Sequence, residues 1–290
     1  MVAVDDLPGR VWHYTSSEGL LGIVKGGCLW ASAPMSMNDV GEFEYGVDII
    51  QRVWESIRPE VLAPMHEKID ESLEGLTEVV TRWIYVLSAS ADQDSLPQWR
   101  GYAGLQGYAL ELQTDVPLDL VGREGDLVAD SVGNYLPSDG WYRVIYDRGS
   151  QERVALAALQ EAMAVPVDLG RLVRWTAIQK ILAEAAVRLK HPSFESEHEV
   201  RFIYSRRLTE SFDEGFRSGR YGITPYVRLK VPLAQSGAPG RPGPVPITKI
   251  QCGPTGYEAT NEVAAASVRR LVQGIYPFVE VSTSSIPFRP

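Results

Sequence analysis

Apolar and polar positions alternate between two periods along the first ninety residues. Arg10-Val-Trp-His-Tyr-Thr15 alternates and carries aromatics, which reads as a strand. Ser16-Ser17-Glu18 then supplies cap chemistry for a short helix bearing Leu20, Leu21, Ile23 and Val24, which Gly26-Gly27 terminates. Cys28 to Ser32 reads as a second short strand, followed by a polar loop from Ala33 to Glu42. From Phe43 to about Arg58, Val47, Ile50, Val53, Trp54 and Ile57 fall near the 3.6-residue helical period. Pro59 opens another helix with Leu62, Met65, Ile69, Leu73, Leu76 and Val80, whose higher charge predicts a surface position. Trp83 to Ser90 is a strong strand pattern.

Beyond it, Pro97 to Tyr102 predicts one helical turn and Gly107 to Leu112 a strand, while 113–140 predicts little regular structure. Trp141 to Tyr146 alternates as a strand. Gln151 to Ala164 and Val167 to Lys190 predict helices, the second with Leu172, Trp175, Ile178, Ile181 and Leu182 along one side. Glu197 to Ser205, Tyr226 to Val231, Ile247 to Cys252 and Phe278 to Ser282 predict strands, and Ala259 to Gln273 a helix. Gly237 to Pro246, rich in Gly and Pro, predicts an exposed loop. No internal repeat and no regular βαβ rhythm emerges. The expectation is an α+β fold: one domain over residues 1–290, a mixed, mostly antiparallel sheet flanked by helices, with helical insertions near 43–82 and 150–190.

Composition narrows the function classes. The 290 residues are 44% hydrophobic, enough for a sizeable core, and carry Lys+Arg 28 against Asp+Glu 37, a net charge of -9. That balance argues against broad nucleic-acid binding, which needs a basic surface to displace counterions. Cys28 and Cys252 sit in apolar surroundings outside any CxxC pair, so both are expected to be buried thiols. No run approaches the ~18 apolar residues of a membrane span, and the N-terminus has no secretory pattern, so a cytoplasmic protein is expected.

Standard phosphate-loop, dinucleotide, zinc-protease and nucleophile-elbow motifs are absent. Neither His66 nor His191 has an informative context, and His198 in a strand points away from Glu197 and Glu199, so no metal site is expected. The informative segment is 194–203. Alternation in a strand places Glu197, Glu199 and Arg201 on one face, where they form either a solvated surface or a cleft wall in which Arg201 holds one carboxylate and the other accepts a proton or stabilises positive charge. His13-Tyr14-Thr15 meets a helix N-terminus, where His13 and Thr15 offer groups suited to a ribose or amide, or else a half-buried core His and a cap. Asn38, Asp39 and Glu42 form a third group, readable as turn and cap residues or as pocket residues. Trp99, Arg100 and Tyr102 form a fourth, able to stack a ring and hold a phosphate or simply to anchor a loop.

Together these segments resemble the bacterial domain of unknown function 2971 (DUF2971) family. The resemblance rests on HYTSSEGLLGIVKGGCLWAS at 13–32, MNDVGEFEYG at 37–46, LSASADQDSLPQWRGYAGLQGYALEL at 87–112, FESEHEVRFIY at 194–204, ITKIQCGP at 247–254 and STSSIPF at 282–288. A more distant likeness is to ADP-ribosyltransferase-like folds, including their DNA-modifying toxin branch, and it implies a split sheet. In such folds a His-bearing strand holds the NAD ribose, a second strand flanks nicotinamide, and a late strand carries Glu-x-Glu. That likeness implies His13, Tyr14 and Thr15 for the first element, Trp30 and Ser32 for the second, and Glu197 with catalytic Glu199 for the third. Arg201 or Arg100 would neutralise the pyrophosphate. The second strand reads WAS rather than Ser-Thr-Ser, and Asn38, Asp39, Trp99 and Tyr102 have no counterpart there.

The implied function is an NAD-using ADP-ribosyltransferase or NAD glycohydrolase in a toxin or phage-defence setting, with NAD as substrate and an unknown macromolecular acceptor. Two alternatives stay open: a non-catalytic ligand-binding or interaction protein, and a metal-dependent hydrolase or nuclease using Asp39, Glu42, Glu197 and Glu199. On the first reading Glu199→Gln is expected to abolish turnover and leave the melting temperature nearly unchanged.

Overall fold

The computed structural model describes residues 7–34, 41–104, 106–121, 139–166, 168–206, 214–219, 222–232, 245–254 and 258–287. Among them run eleven strands: β1 Arg10–Thr15, β2 Leu29–Ser32, β3 Ile84–Ser90, β4 Tyr108–Gln113, β5 Asp119–Leu120, β6 Gly140–Arg143, β7 Glu199–Ser205, β8 Gly215–Gly219, β9 Gly222–Lys230, β10 Ile247–Cys252 and β11 Glu280–Thr283. They form one mixed sheet in the order β11-β10-β4-β1-β3-β2-β9-β5, with β7 also on β3, β6 on β7 and β8 on β9. Every ladder is antiparallel except β10 with β11. This is the α+β fold that the hydrophobic pattern predicts.

The sheet divides at β3. One edge of β3 pairs with β7 along its whole length, from Ile84 opposite Ser205 to Ser90 opposite Glu199. A strand has two edges, so β1 and β2 share the other. There β1 touches only at Trp12 opposite Ser90, and β2 only at Ser32 opposite Val86. β1 and β2 therefore diverge from opposite ends of one edge and leave a gap over Leu87 and Ser88.

The two sheet faces are covered differently because side chains alternate along β3 and β7. Ile84, Val86 and Ile203 enter a core built by α2 (Gly41–Ile57), α3 (Ala63–Glu74), α4 (Leu76–Trp83), α6 (Arg148–Ala164) and α7 (Arg171–Ala186), the single-turn α5 (Leu96–Gln98) lying between β3 and β4. Tyr85, Leu87, Ala89, Val200, Phe202 and Tyr204 enter a second core with α1 (Ser17–Gly26) and α8 (Glu258–Val272). The helix expected from Pro59 is two helices, α3 and α4, and it is no surface element: Ile69, Leu73, Leu76 and Val80 are buried in the first core. The apolar face of the sheet needs a cover, and that demand outweighs the segment's charge. α7 stops at Ala186, so Val187 to Lys190 leave the helix and Leu189 bridges to Ile145. Leu172 and Trp175 lie exposed near its start instead of completing the buried stripe. Within the Gly237–Pro246 stretch, 237–244 lie outside the described residues, and Val245 is buried.

Local caps match the sequence pattern. Ser16 accepts a hydrogen bond from the Gly19 N–H at the start of α1, and Gly27 closes that helix in the left-handed conformation, φ 60°. Gly46 answers a packing demand: a Cβ there would lie 2.1 Å from the Ala186 carbonyl oxygen, so α2 and α7 cross backbone to backbone.

Candidate functional site

A cleft of about 500 Å³ opens at the divergence of β1 and β2. His13 and Thr15 of β1 line it with Ser16 and Gly19 at the start of α1; Trp30 and Ser32 of β2, Ser88 of β3, Tyr102, Glu197, Glu199 and Arg217 complete its walls. The opening histidine strand and the late acidic segment thus face one hollow.

The His13 ring is fixed by its Nδ1, 2.8 Å from the Ser88 carbonyl oxygen. A carbonyl only accepts, so Nδ1 carries the proton. Desolvation lowers the pKa of the ring, the Ser88 contact opposes this, and the charge of Arg217 lowers it further. The imidazole is therefore neutral at pH 7, and its Nε2 is left as an acceptor. Beside it the Ser88 Oγ is buried without a hydrogen-bond partner.

The acidic end differs from the strand pattern. Glu197 is not in β7: it ends a 3-10 helix, Pro192–Glu197, and His198 adopts the left-handed conformation, φ 42°, before the strand begins at Glu199. Strict alternation across Glu197, Glu199 and Arg201 therefore fails at its first step. Glu199 and Arg201 do share a face, and Arg201 donates from Nε to Glu199 Oε1 and from Nη2 to Oε2, each at 2.8 Å. Glu197 reaches the same group through Lys190, whose Nζ lies 2.7 Å from Glu197 Oε2, 2.8 Å from Glu199 Oε2 and 3.3 Å from Glu42 Oε2. Arg201 also pairs with Glu42 and donates to the Val187 carbonyl oxygen at 2.6 Å.

Three carboxylates thus surround two cations. Burial pushes the Glu199 carboxyl up, but Arg201 and Lys190 outweigh it and hold its pKa at about 2. Burial likewise disfavours the charge on Lys190, and the facing carboxylates overcome that and raise its pKa. Glu197 is the open member, its side chain 15% exposed against 5% for Glu199. Its backbone is pinned, since Ser90 Oγ and Gln98 Nε2 both donate to its carbonyl oxygen, at 2.8 and 3.0 Å. The Tyr102 hydroxyl lies 3.2 Å from both carboxylate oxygens of Glu197.

Several expected site residues are engaged elsewhere in the fold. Arg201 is 1% exposed, committed to Glu199, Glu42 and Val187, and lies outside the cleft lining. Arg100 is exposed and outside the cleft lining. Trp99 is a core residue: its Nε1 donates to Asp94 Oδ1 at 2.7 Å and its ring meets Tyr14 edge-on at 4.8 Å. Tyr14 lines the cleft beside His13, and its hydroxyl, 2.9 Å from the Asp92 and Gln93 carbonyl oxygens, anchors the same loop. Asp94 also accepts from Ser284 Oγ at 2.7 Å, which ties the closing STSSIPF segment to this loop. Glu42 is buried in the ion cluster rather than lining the cleft, while Asn38 and Asp39 lie outside the described residues. Among the described residues no group of three His, Cys, Asp or Glu is arranged to hold a metal ion. No helix among them is long and apolar enough to cross a membrane.

Sequence reasoning missed Lys190 and Arg217. Lys190 reads as the end of a helix, and only the bridge between Leu189 and Ile145 turns it inward. Arg217 lies in a polar Gly/Arg stretch whose strand, β8, becomes visible only through its pairing with β9.

A family model described as "Protein of unknown function (DUF2971)" matches residues 98–202, a stretch that carries Gln98, Tyr102, Lys190, Glu197, Glu199 and Arg201. No curated protein and no solved structure matches the chain.

Proposed function

We propose, for a chain whose residues 98–202 match the DUF2971 family model, that the cleft takes NAD and that the protein cleaves the nicotinamide–ribose bond, passing ADP-ribose to an acceptor or to water. The observation that carries this reading is that His13, Trp30, Glu197 and Glu199, distant in the sequence, line one hollow. Its volume of about 500 Å³ suits a ligand of this size, since such pockets run to roughly 300–1,000 Å³.

When nicotinamide leaves with the bonding electron pair, positive charge develops on the ribose. A fixed carboxylate stabilises that charge more than it stabilises the ground state. Glu199 spends both oxygens on Arg201 and Lys190, so Glu197 is the carboxylate that meets the ribose, reversing the roles that the Glu-x-Glu resemblance implies. Glu199 then acts as a positioning residue, holding Lys190 against Glu197. The neutral His13 Nε2 accepts from a ribose hydroxyl, and Trp30 offers a ring face to a planar base.

The test is release of free nicotinamide from NAD by the purified protein, read against Glu197→Gln. A toxin or phage-defence setting is tested by growth arrest on expression, relieved by the same substitution. The full pairing of Glu199 favours a second reading, a pocket that binds NAD without cleaving it. Under that reading NAD raises the melting temperature while no nicotinamide appears.

A further inference from the structure

The geometry points to Arg217 as the anion-binding arm of the cleft, seating a phosphate or diphosphate group of a nucleotide whose base rests on Trp30. This rests on the cleft being a ligand site, not on bond cleavage within it.

β8 and β9 form a hairpin in which Arg217 lies opposite Thr224, and Ser218 opposite Ile223. Alternation sends Phe216 to the other face, where it and Ile223 are exposed, and turns Arg217 to the cleft beside the buried Thr224. There its Nη2 donates to Ser32 Oγ at 3.0 Å, and its guanidinium carbon sits 5.9 Å from the centre of the Trp30 ring. Among the described residues no carboxylate pairs with it. This separates Arg217 from Arg201 and Lys190, whose charges are met by Glu42, Glu197 and Glu199. Partial withdrawal from water lowers its pKa, but a guanidinium stays charged in a protein. An uncompensated cation in a cleft is stabilised by an incoming anion, and its planar fork matches phosphate oxygens.

The placement polarises the cleft. Ser32, which holds Arg217, meets β3 at Val86, whereas Glu199 meets it at Ser90. Four residues of strand separate these anchors by roughly 13 Å. One end presents Arg217, the other the open Glu197. A ligand with an anionic group at one end and developing positive charge at the other fits this polarity. Trp30 is held rigidly between: Tyr226 packs against it at 5.0 Å, and a Cβ at Gly22 would lie 2.7 Å from its ring, so the indole lies directly on α1.

The experiment compares binding of ADP, adenosine and inorganic pyrophosphate by calorimetry at two salt concentrations. The wild-type protein is expected to bind ADP at least tenfold tighter than adenosine, with the advantage shrinking as salt rises. Arg217→Gln should lose that advantage and leave adenosine binding unchanged. Arg217→Lys, which keeps the charge but not the fork, should fall between and serves if the Gln variant does not fold. Equal affinity of the wild type for ADP and adenosine, or wild-type ADP affinity in either folded variant, overturns the assignment. Nicotinamide release is a separate readout. An ADP preference set by Arg217 without release keeps this inference and removes cleavage, whereas release with no ADP preference does the reverse.

Discussion

Arg201 grips Glu199 from two positions along the same strand, Nε to Oε1 and Nη2 to Oε2, both at 2.8 Å. The bidentate contact follows from strand geometry, since residues i and i+2 share a face. With Lys190 on the second oxygen, the pair fixes Glu199 as a fully engaged carboxylate, ionised at neutral pH.

Glu199→Gln is therefore expected to destabilise the protein, by about 3–5 kcal/mol, because it removes the one carboxylate that both Arg201 and Lys190 contact at 2.8 Å while the two cations stay buried. A urea unfolding curve checks this. The outcome departs from the sequence-based expectation of an unchanged melting temperature, which took Glu199 for an open catalytic group. An unshifted midpoint would show that the cluster carries no stability.

Glu197→Gln should act mainly on activity. The amide oxygen retains a contact to Lys190, and the position is more open, so its stability cost should be smaller than that of Glu199→Gln. Nicotinamide release should fall by ~10²–10³, the usual loss when one electrostatic contact to a transition state is removed. A stability loss matching that of Glu199→Gln would make Glu197 a structural member of the cluster.

Acid should weaken the fold in two separate windows. The His13 pKa lies below its ordinary 6.5, so as pH falls below that value the unfolded chain takes up a proton that the folded chain resists, and stability declines. The Glu199 pKa lies below its ordinary 4.5, so its contribution is complete above that value and disappears as pH falls through about 2. Stability measured against pH should show both declines, and His13→Gln should remove the upper one alone. Persistence of the upper decline in that variant would place its origin elsewhere.

Asp94→Ala should loosen the loop behind the cleft together with the chain's closing segment. It deletes the acceptor of Trp99 Nε1, Ser284 Oγ and the Ser285 N–H. At about 1 kcal/mol for each net hydrogen bond, a loss of roughly 2–3 kcal/mol is expected. Faster proteolysis near Ser284 should accompany it, and wild-type protection there would contradict the tie.

Much of this architecture is legible in local pattern. Arg10–Thr15 alternates, Ser16 and Gly27 cap α1, and Glu199 and Arg201 fall on one face, each through interactions within a few residues. What escapes the sequence depends on distant partners. Alternation carried back to Glu197 fails because His198 turns left-handed, a conformation that its neighbours do not announce. Lys190 is drawn inward by carboxylates from α2, from the 3-10 helix before β7 and from the start of β7. Arg217 acquires meaning only when β8 folds back on β9 against Ser32. Trp99 looks like a stacking platform until Asp94 and Tyr14 are seen to enclose it.

The most direct measurement is chromatographic detection of nicotinamide after incubating wild-type protein and folded Glu197→Gln with NAD. Time-dependent release by the wild type, reduced at least a hundredfold in the variant, is the predicted result. Release at the same rate from both proteins would contradict the account.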